Sequence, residues 1–303
     1  MNETPGTEVT ELDVELGDGR VLRAYDSGAP AGTAASAEPL VVVWFHGTPN
    51  IGAPPVPLFA AAARLGIRWV SYDRPGYGGS TPRPGRDTAS AAGDVAAVLD
   101  HLGVDTFAVM GHSGGGPHAL AVAAGLPDRV RAAVSVSAPA PFGASGLDWF
   151  AGMAPGGEAS LRAAAAGREA KETHEAAMAG GGDEGVDIGF IAADEAAFAG
   201  PWGWFGSVVG RAMAAGPAAL IDDDLAAVSD WGFDPGSVRC PTLVVHGGDD
   251  RMVPASHGEW LAGAVPGADL WLQAGDGHIS VLRTSEEALG WLAEAARRQS
   301  SGD

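Results

Sequence analysis

Residues 111–115 read Gly-His-Ser-Gly-Gly, a set of types that suits a serine made nucleophilic. A serine hydroxyl attacks a carbonyl only when a base takes its proton, and that base needs a third group to orient it. Ser113 stands between an apolar run, Phe107 to Met110, and an Ala-rich helical pattern. A strand that ends in G-x-S-x-G and turns at once into a helix forces the serine toward φ > 0 and lifts its hydroxyl clear of the sheet. So sharp a turn brings positions 111 and 115 together, which explains a glycine at each. The same turn supplies a donor for a tetrahedral oxyanion: the backbone N–H of Gly114, at the positive end of the helix.

The base follows by elimination among eight histidines. His46 and His246 end strand-like runs beside glycine and suit backbone hydrogen bonding. His112 lies inside the turn, His101 and His118 fall in helical patterns, His257 begins another, and His174 sits in a polar stretch. Only His278, in a Gly-flanked loop after the last strand-like run, is placed to reach back to Ser113. For the orienting acid, His246-Gly247-Gly248-Asp249-Asp250-Arg251-Met252-Val253-Pro254 offers two neighbouring carboxylates, Asp249 and Asp250.

These residues need a scaffold, and the chain supplies one in a regular alternation. Val9–Leu16 and Val21–Tyr25 flank Gly17-Asp18-Gly19 and read as a hairpin at a sheet edge. Residues 1–7 read as a loose tail and 28–38 as a surface loop. Leu40–Phe45 is apolar without alternation, as expected of a strand covered on both faces in a parallel sheet, and Arg68–Tyr72, Phe107–Met110, Ala132–Val136, Thr242–Val245 and Asp269–Leu272 read as further strands. Helical patterns at 60–65, 95–102, after the turn at 113, and at 285–298 separate several of them. Strands alternating with helices specify an α/β class. Residues 139–235 break the rhythm, being rich in Ala and Gly and lacking strand-like runs. The expected organisation is a core of residues 1–138 and 236–303 interrupted by a mainly helical insertion at 139–235.

Composition narrows the partners. A net charge of −20 over 303 residues disfavours nucleic acid and anionic membranes. Cys240 is the only cysteine, so an intrachain disulfide is excluded. The N-terminus lacks a basic start and an apolar run, and no apolar stretch nears the roughly 20 residues that span a bilayer; a cytoplasmic location is expected. Scattered histidines give no metal-ligand spacing, and the Gly-rich runs lack a following Lys-Ser/Thr, so neither a metal, a phosphate loop nor any other cofactor is expected. The implied partner is a small molecule.

Four separated motifs, His46-Gly47-Thr48-Pro49, Gly111-His112-Ser113-Gly114-Gly115, His246 to Pro254, and Gly277-His278, resemble the α/β-hydrolase superfamily in content and order. Asp73-Arg74-Pro75-Gly76-Tyr77-Gly78-Gly79-Ser80 also looks like that family's D-x-x-G-x-G-x-S loop. The resemblance implies an α/β-hydrolase fold, with a mostly parallel sheet flanked by helices and a helical cap. In the H-G-x-x-D-x-x-V-P pattern, Asp250 matches the catalytic aspartate. The H-G-x-P segment implies the backbone N–H of Thr48 as the second oxyanion donor. Some relatives carry the acid after the preceding strand, where Ser137-Ala138-Pro139 offers none. Serine at 113 separates the chain from haloalkane dehalogenases and epoxide hydrolases, which attack with aspartate, and from dienelactone hydrolases, which use cysteine. The implied activity is a serine hydrolase cleaving carboxylic esters of small to medium apolar substrates through an acyl-enzyme, with Ser113, His278 and Asp250 as triad. C–C bond, lactone or perhydrolytic chemistry on the same triad, or a non-enzymatic small-molecule receptor, are the alternatives. His112, Phe142, Trp149, Trp202 and Trp204 are the expected pocket residues, with the glycine-flanked Trp202 and Trp204 suited to a moving lid.

Overall fold

The structure, a computed structural model, describes residues 9–30, 38–182 and 185–300; the expected tail at 1–7 and most of the loop at 28–38 lie outside them. The strands are β1 (Thr10–Glu15), β2 (Val21–Asp26), β3 (Leu40–Phe45), β4 (Ile67–Tyr72), β5 (Phe107–His112), β6 (Val130–Val136), β7 (Thr242–Gly247) and β8 (Asp269–Gln273). The α-helices are α1 (Phe59–Leu65), α2 (Ala91–His101), α3 (Gly115–Gly125), α4 (Pro155–Ala165), α5 (Arg168–Ala177), α6 (Ala192–Phe198), α7 (Phe205–Met213), α8 (Ala218–Ala227), α9 (Ala255–Ala264) and α10 (Ser285–Ser300).

Among the described residues the strands form one eight-stranded sheet in the order β1-β2-β4-β3-β5-β6-β7-β8. β2 runs antiparallel to β1 and β4, and every other pairing is parallel. The central strands lack polar alternation because both faces are covered. On β3, Val42 and Trp44 join the layer built with α1 and α10, while Val41, Val43 and Phe45 join the layer built with α2, α3 and α9. α1 stops where Gly66 turns left-handed (φ 67°) and returns its N–H to the carbonyls of Ala62 and Ala63, sending the chain directly into β4. Between β6 and β7 the described residues contain α4 to α8 and no strand. None of the helices among the described residues is long and apolar enough to cross a membrane.

This topology gathers the chemistry at one edge. His46–Thr48, Ser113, Asp250 and His278 all follow the carboxyl ends of β3, β5, β7 and β8, the side on which open α/β sheets bind ligands. The turn from β5 into α3 is possible only with bare backbone. A Cβ on Gly115 would lie 2.1 Å from the Phe45 carbonyl oxygen, and one on Gly111 would lie 2.3 Å from that of Gly115.

Gly115→Ala is therefore expected to lower unfolding free energy by about 3 kcal/mol or more, since the neighbouring atoms are backbone and cannot yield. Gly290→Ala, in α10 with open space around it, should be neutral or stabilising by about 0.5–1 kcal/mol. Urea denaturation of the two variants beside the parent checks both.

Candidate active site

Ser113 occupies the turn with φ 54°, its N–H bonded to the Val136 carbonyl at 2.8 Å. The strain is held by that bond and by the Gly116 N–H reaching back to the Ser113 carbonyl at 2.9 Å. His118, one turn into α3, donates Nδ1–H to the Gly114 carbonyl at 2.8 Å. The raised Ser113 hydroxyl meets His278 Nε2 at 2.9 Å, and His278 Nδ1–H donates to Asp250 Oδ2 at 2.8 Å. The other Asp250 oxygen accepts the backbone N–H groups of Met252 and Val253, each at 2.9 Å. Asp249 is exposed, its backbone N–H bonded to the Asp276 carbonyl. The three groups thus form a continuous hydrogen-bonded chain with the serine at its open end.

The electrostatics distinguish His278 from the other buried histidines. Burial opposes its charged form, but the charge and hydrogen bond of Asp250, with a contribution from Asp194, outweigh that and raise its pKa above the usual 6.5. Burial depresses His46 and His246, and pushes His112 and His118 down to about 3 and His257 to about 4. For Asp250 burial acts upward, and His278, His246 and the Val253 N–H together bring its pKa below the ordinary carboxylate value.

The loop after β3 is fixed with equal care. His46 donates Nδ1–H to the Gly47 carbonyl at 2.8 Å and accepts the Arg74 N–H on Nε2 at 3.1 Å. The Arg74 guanidinium also holds the carbonyls of His46 and Gly47 and the Thr48 hydroxyl. Thr48 Oγ1 in turn donates to Asp223 on α8 at 2.7 Å. Asp223 also accepts from Arg74, Arg86 and Tyr77 and is buried; although burial acts to raise its pKa, the two guanidiniums hold it well below the carboxylate range. Thr48 is thereby set against the elbow: a Cβ on Gly114 would stand 2.5 Å from Thr48 Oγ1 and 3.6 Å from the Thr48 nitrogen. A second acid from the β6–β7 segment, Asp194 on α6, accepts the N–H groups of Ile279 and Ser280 at 2.9 and 2.7 Å and so fixes the loop that carries His278.

A cavity of about 190 Å³ opens at Ser113, lined by Thr48, Gly114, His118 and His278 from the sheet edge and by Trp149, Met153, Leu161, Leu220 and Trp231 from the helical side. Of the five residues expected to line a pocket, Trp149 does so. Its indole donates to the Ala140 carbonyl at 2.8 Å, and its own carbonyl accepts from His257 Nε2 at 2.9 Å. The other four are placed elsewhere. His112 ends β5 with its ring turned behind the site, because successive strand residues face opposite ways. Its Nε2–H donates to the His278 carbonyl at 3.0 Å and its ring packs 5.6 Å from Phe205. Phe142 is 38% exposed and backs Trp149 edge-on at 5.3 Å. Trp202 is buried and stacks on Phe205 at 5.7 Å, and Trp204 packs on the same ring at 5.1 Å. Both belong to the apolar layer of α1 and α10, which anchors them instead of leaving them to swing over the site. Asp223, Asp224 and Ser160, which also line the cavity, escaped the sequence reading. No local pattern in Asp222-Asp223-Asp224 signals the burial of these three acids.

Comparison with known proteins agrees with this architecture. A family model described as alpha/beta hydrolase fold matches residues 41–283. The chain is 30% identical over 230 residues to the dihydrolipoyllysine-residue acetyltransferase component of the acetoin cleaving system of Cupriavidus necator, which covers 72% of this chain and 53% of that protein. It is 46% identical over 79 residues to a bifunctional esterase/perhydrolase of Acinetobacter calcoaceticus, covering 25% of this chain and 29% of the relative. The chain therefore spans about half the length of the first relative and less than a third of the second. A hydrolase structure from Pseudomonas aeruginosa superposes with a TM-score of 0.68 at 22% identity, covering 94% of this chain and 98% of the other, a likeness of fold.

The raised pKa of His278 sets the sign of a pH effect. Its Nε2 accepts a proton from Ser113 only when neutral, so reactivity should fall as pH drops through a value above 6.5. The second-order rate of Ser113 with p-nitrophenyl acetate, followed from pH 5 to 9, is expected to show one rising limb with its midpoint above 6.5; a midpoint below 6 would contradict the electrostatics described.

Proposed function

The chain belongs to the alpha/beta hydrolase fold family, and from that premise we propose that it is a serine hydrolase that cleaves carboxylic esters of small to medium size through an acyl-enzyme. The observation that carries this reading is the chain Ser113–His278–Asp250, with spacings of 2.9 and 2.8 Å, opening into the cavity. His278 Nε2 takes the Ser113 proton as Oγ bonds to the ester carbonyl carbon. Asp250 holds the ring in the tautomer that leaves Nε2 bare and stabilises the imidazolium formed. Negative charge moves to the carbonyl oxygen, where the backbone N–H groups of Thr48 and Gly114 receive it; one such donor contributes about 3–4 kcal/mol to lowering the barrier. The intermediate collapses, and His278 returns its proton to the departing alcohol. Water, deprotonated by the same nitrogen, then releases the acid and restores Ser113.

The helices of residues 139–235 act as a cap that shapes this cavity. Trp149, Met153, Leu161, Leu220 and Trp231 supply its apolar wall. A second reading keeps the acyl-enzyme and replaces water by hydrogen peroxide, giving a peracid and free Ser113. The 46% identity to the esterase/perhydrolase favours it.

Two experiments test the proposal. Ser113→Ala should lower kcat for p-nitrophenyl butyrate by about 10³-fold or more with the fold retained by circular dichroism, as for other triad members; near-parental turnover in the purified variant would reject it. Trp149→Ala should shift kcat/KM between short and long acyl esters by about 1–3 kcal/mol, whereas Trp204→Ala should leave the preference where it was. A chain-length panel from acetate to decanoate reads both, and the opposite ranking would mean that the wall lies elsewhere.

A further inference from the structure

One part of the cavity wall is polar, and the reaction as proposed makes no use of it. Ser160 on α4 and Asp224 on α8 both line the cavity. Behind them lies Lys171 of α5, fully buried, its ammonium held by Ser160 Oγ, by Glu175 Oε1 at 2.6 Å and by Asp224 Oδ2 at 2.6 Å. An ammonium has three N–H donors, and these three acceptors engage all of them. Ser160 accepts through its oxygen and so keeps its own hydrogen to donate. Asp224 gives one oxygen to Lys171 and keeps a second; its side chain is 12% exposed, on the cavity. A donor and an acceptor are thus anchored to one buried cation and both face the substrate space. Asp223, next in sequence, cannot serve the same purpose, since its oxygens already take Arg74, Arg86, Thr48 and Tyr77.

We propose that Ser160 and Asp224, held by Lys171, form a subsite for a hydroxyl group of the substrate, so that the preferred esters carry an alcohol away from the scissile carbonyl. This rests on the serine hydrolase reading and specifies its substrate class. Charge decides the kind of group. Asp223, Asp224 and Glu175 are matched by Arg74, Arg86 and Lys171, so an ammonium would add an unpaired charge to a balanced wall. A carboxylate would face Asp224. A neutral hydroxyl donates once and accepts once, which is what the pair offers. A methyl group in its place leaves the serine and the carboxylate without partners as water is expelled, and sites of this kind discriminate strongly against such isosteres.

Binding without turnover tests this directly. N-methyl amides of ω-hydroxy acids, and N-(ω-hydroxyalkyl)acetamides for the reverse orientation, are titrated against the same amides with methyl replacing hydroxyl. The signal is the fluorescence of Trp149 and Trp231, which line the cavity. At the best chain length the hydroxy compound should bind about tenfold tighter or more, the worth of a hydrogen bond to a charged group. Ser160→Ala and Asp224→Ala should each reduce that ratio toward one; if Asp224→Ala fails to fold, Ser160→Ala decides alone. Equal affinities within every pair, or an unchanged ratio in Ser160→Ala, would overturn the subsite. Hydrolysis of p-nitrophenyl butyrate by the parent protein is measured alongside. A parent that turns over the ester yet shows no hydroxyl preference refutes the subsite alone, whereas a parent inert to the ester refutes the hydrolase reading whatever the binding ratios.

Discussion

A buried carboxylate on α8 fastens the helices between β6 and β7 to the loops at the edge of the sheet. Asp223, on α8, accepts from Arg74, Arg86, Tyr77 and Thr48, all of them outside the helical segment that carries it. Such a charge is tolerable only because it is fully paired; stripped of a partner it would destabilise by about 3–5 kcal/mol. Through Thr48 and Arg74 the same interaction sets the loop after β3 against the start of α3. Asp194 does the equivalent on the other side, gripping the backbone that follows His278. The helices between β6 and β7 are therefore not an independent flap. They carry two of the clamps that hold the candidate oxyanion donors and the candidate base in register with Ser113. Trp202 and Trp204, packed around Phe205 in the apolar layer of α1 and α10, fasten the same segment at a third point.

Within that frame, differences in environment give chemically similar residues different roles. Five buried histidines have their pKa lowered by desolvation, and each directs one ring nitrogen to a carbonyl: His46 to Gly47, His112 to His278, His118 to Gly114, His246 to Val253, and His257 to Trp149. His278 alone among the buried ones has a carboxylate within hydrogen-bond distance and a pKa moved upward. Charge on that ring is supported just where a proton from Ser113 would arrive. The acids divide in the same way: Asp250 faces a histidine, Asp223 faces guanidiniums, and Asp224 faces an ammonium and the cavity.

How much of this was legible in the sequence depended on how local the cause was. The turn at Ser113 could be read because its steric demands fall on neighbours, Gly111 and Gly115, that must be bare. The central strands could be read because strands covered on both faces, such as Leu40–Phe45 and Phe107–Met110, show unbroken apolar runs. His278 emerged by elimination, and the choice of Asp250 over Asp249 came from a resemblance; the structure buries the first and exposes the second. The cavity wall was hidden for the opposite reason. Beside the expected Trp149 it is assembled from Ser160, Leu220, Asp224 and Trp231, residues whose proximity exists only after α4, α5 and α8 have packed. An aromatic pair between glycines resembles a lid, but nothing in Pro201–Trp204 announces that its rings meet Phe205. His112, beside Ser113 in sequence, is turned away from the cavity by the alternation of the strand.

In the proposed mechanism Ser113 opens on the cavity and is activated by His278 and Asp250. A fluorophosphonate reacts with a serine only when its oxygen is made nucleophilic in this way. The native protein is treated at neutral pH with the probe and the adduct is located by peptide mass spectrometry. The account requires stoichiometric modification at Ser113, lost in His278→Ala protein that retains its fold. Adducts spread over other residues, or Ser113 labelled equally well without His278, would contradict it.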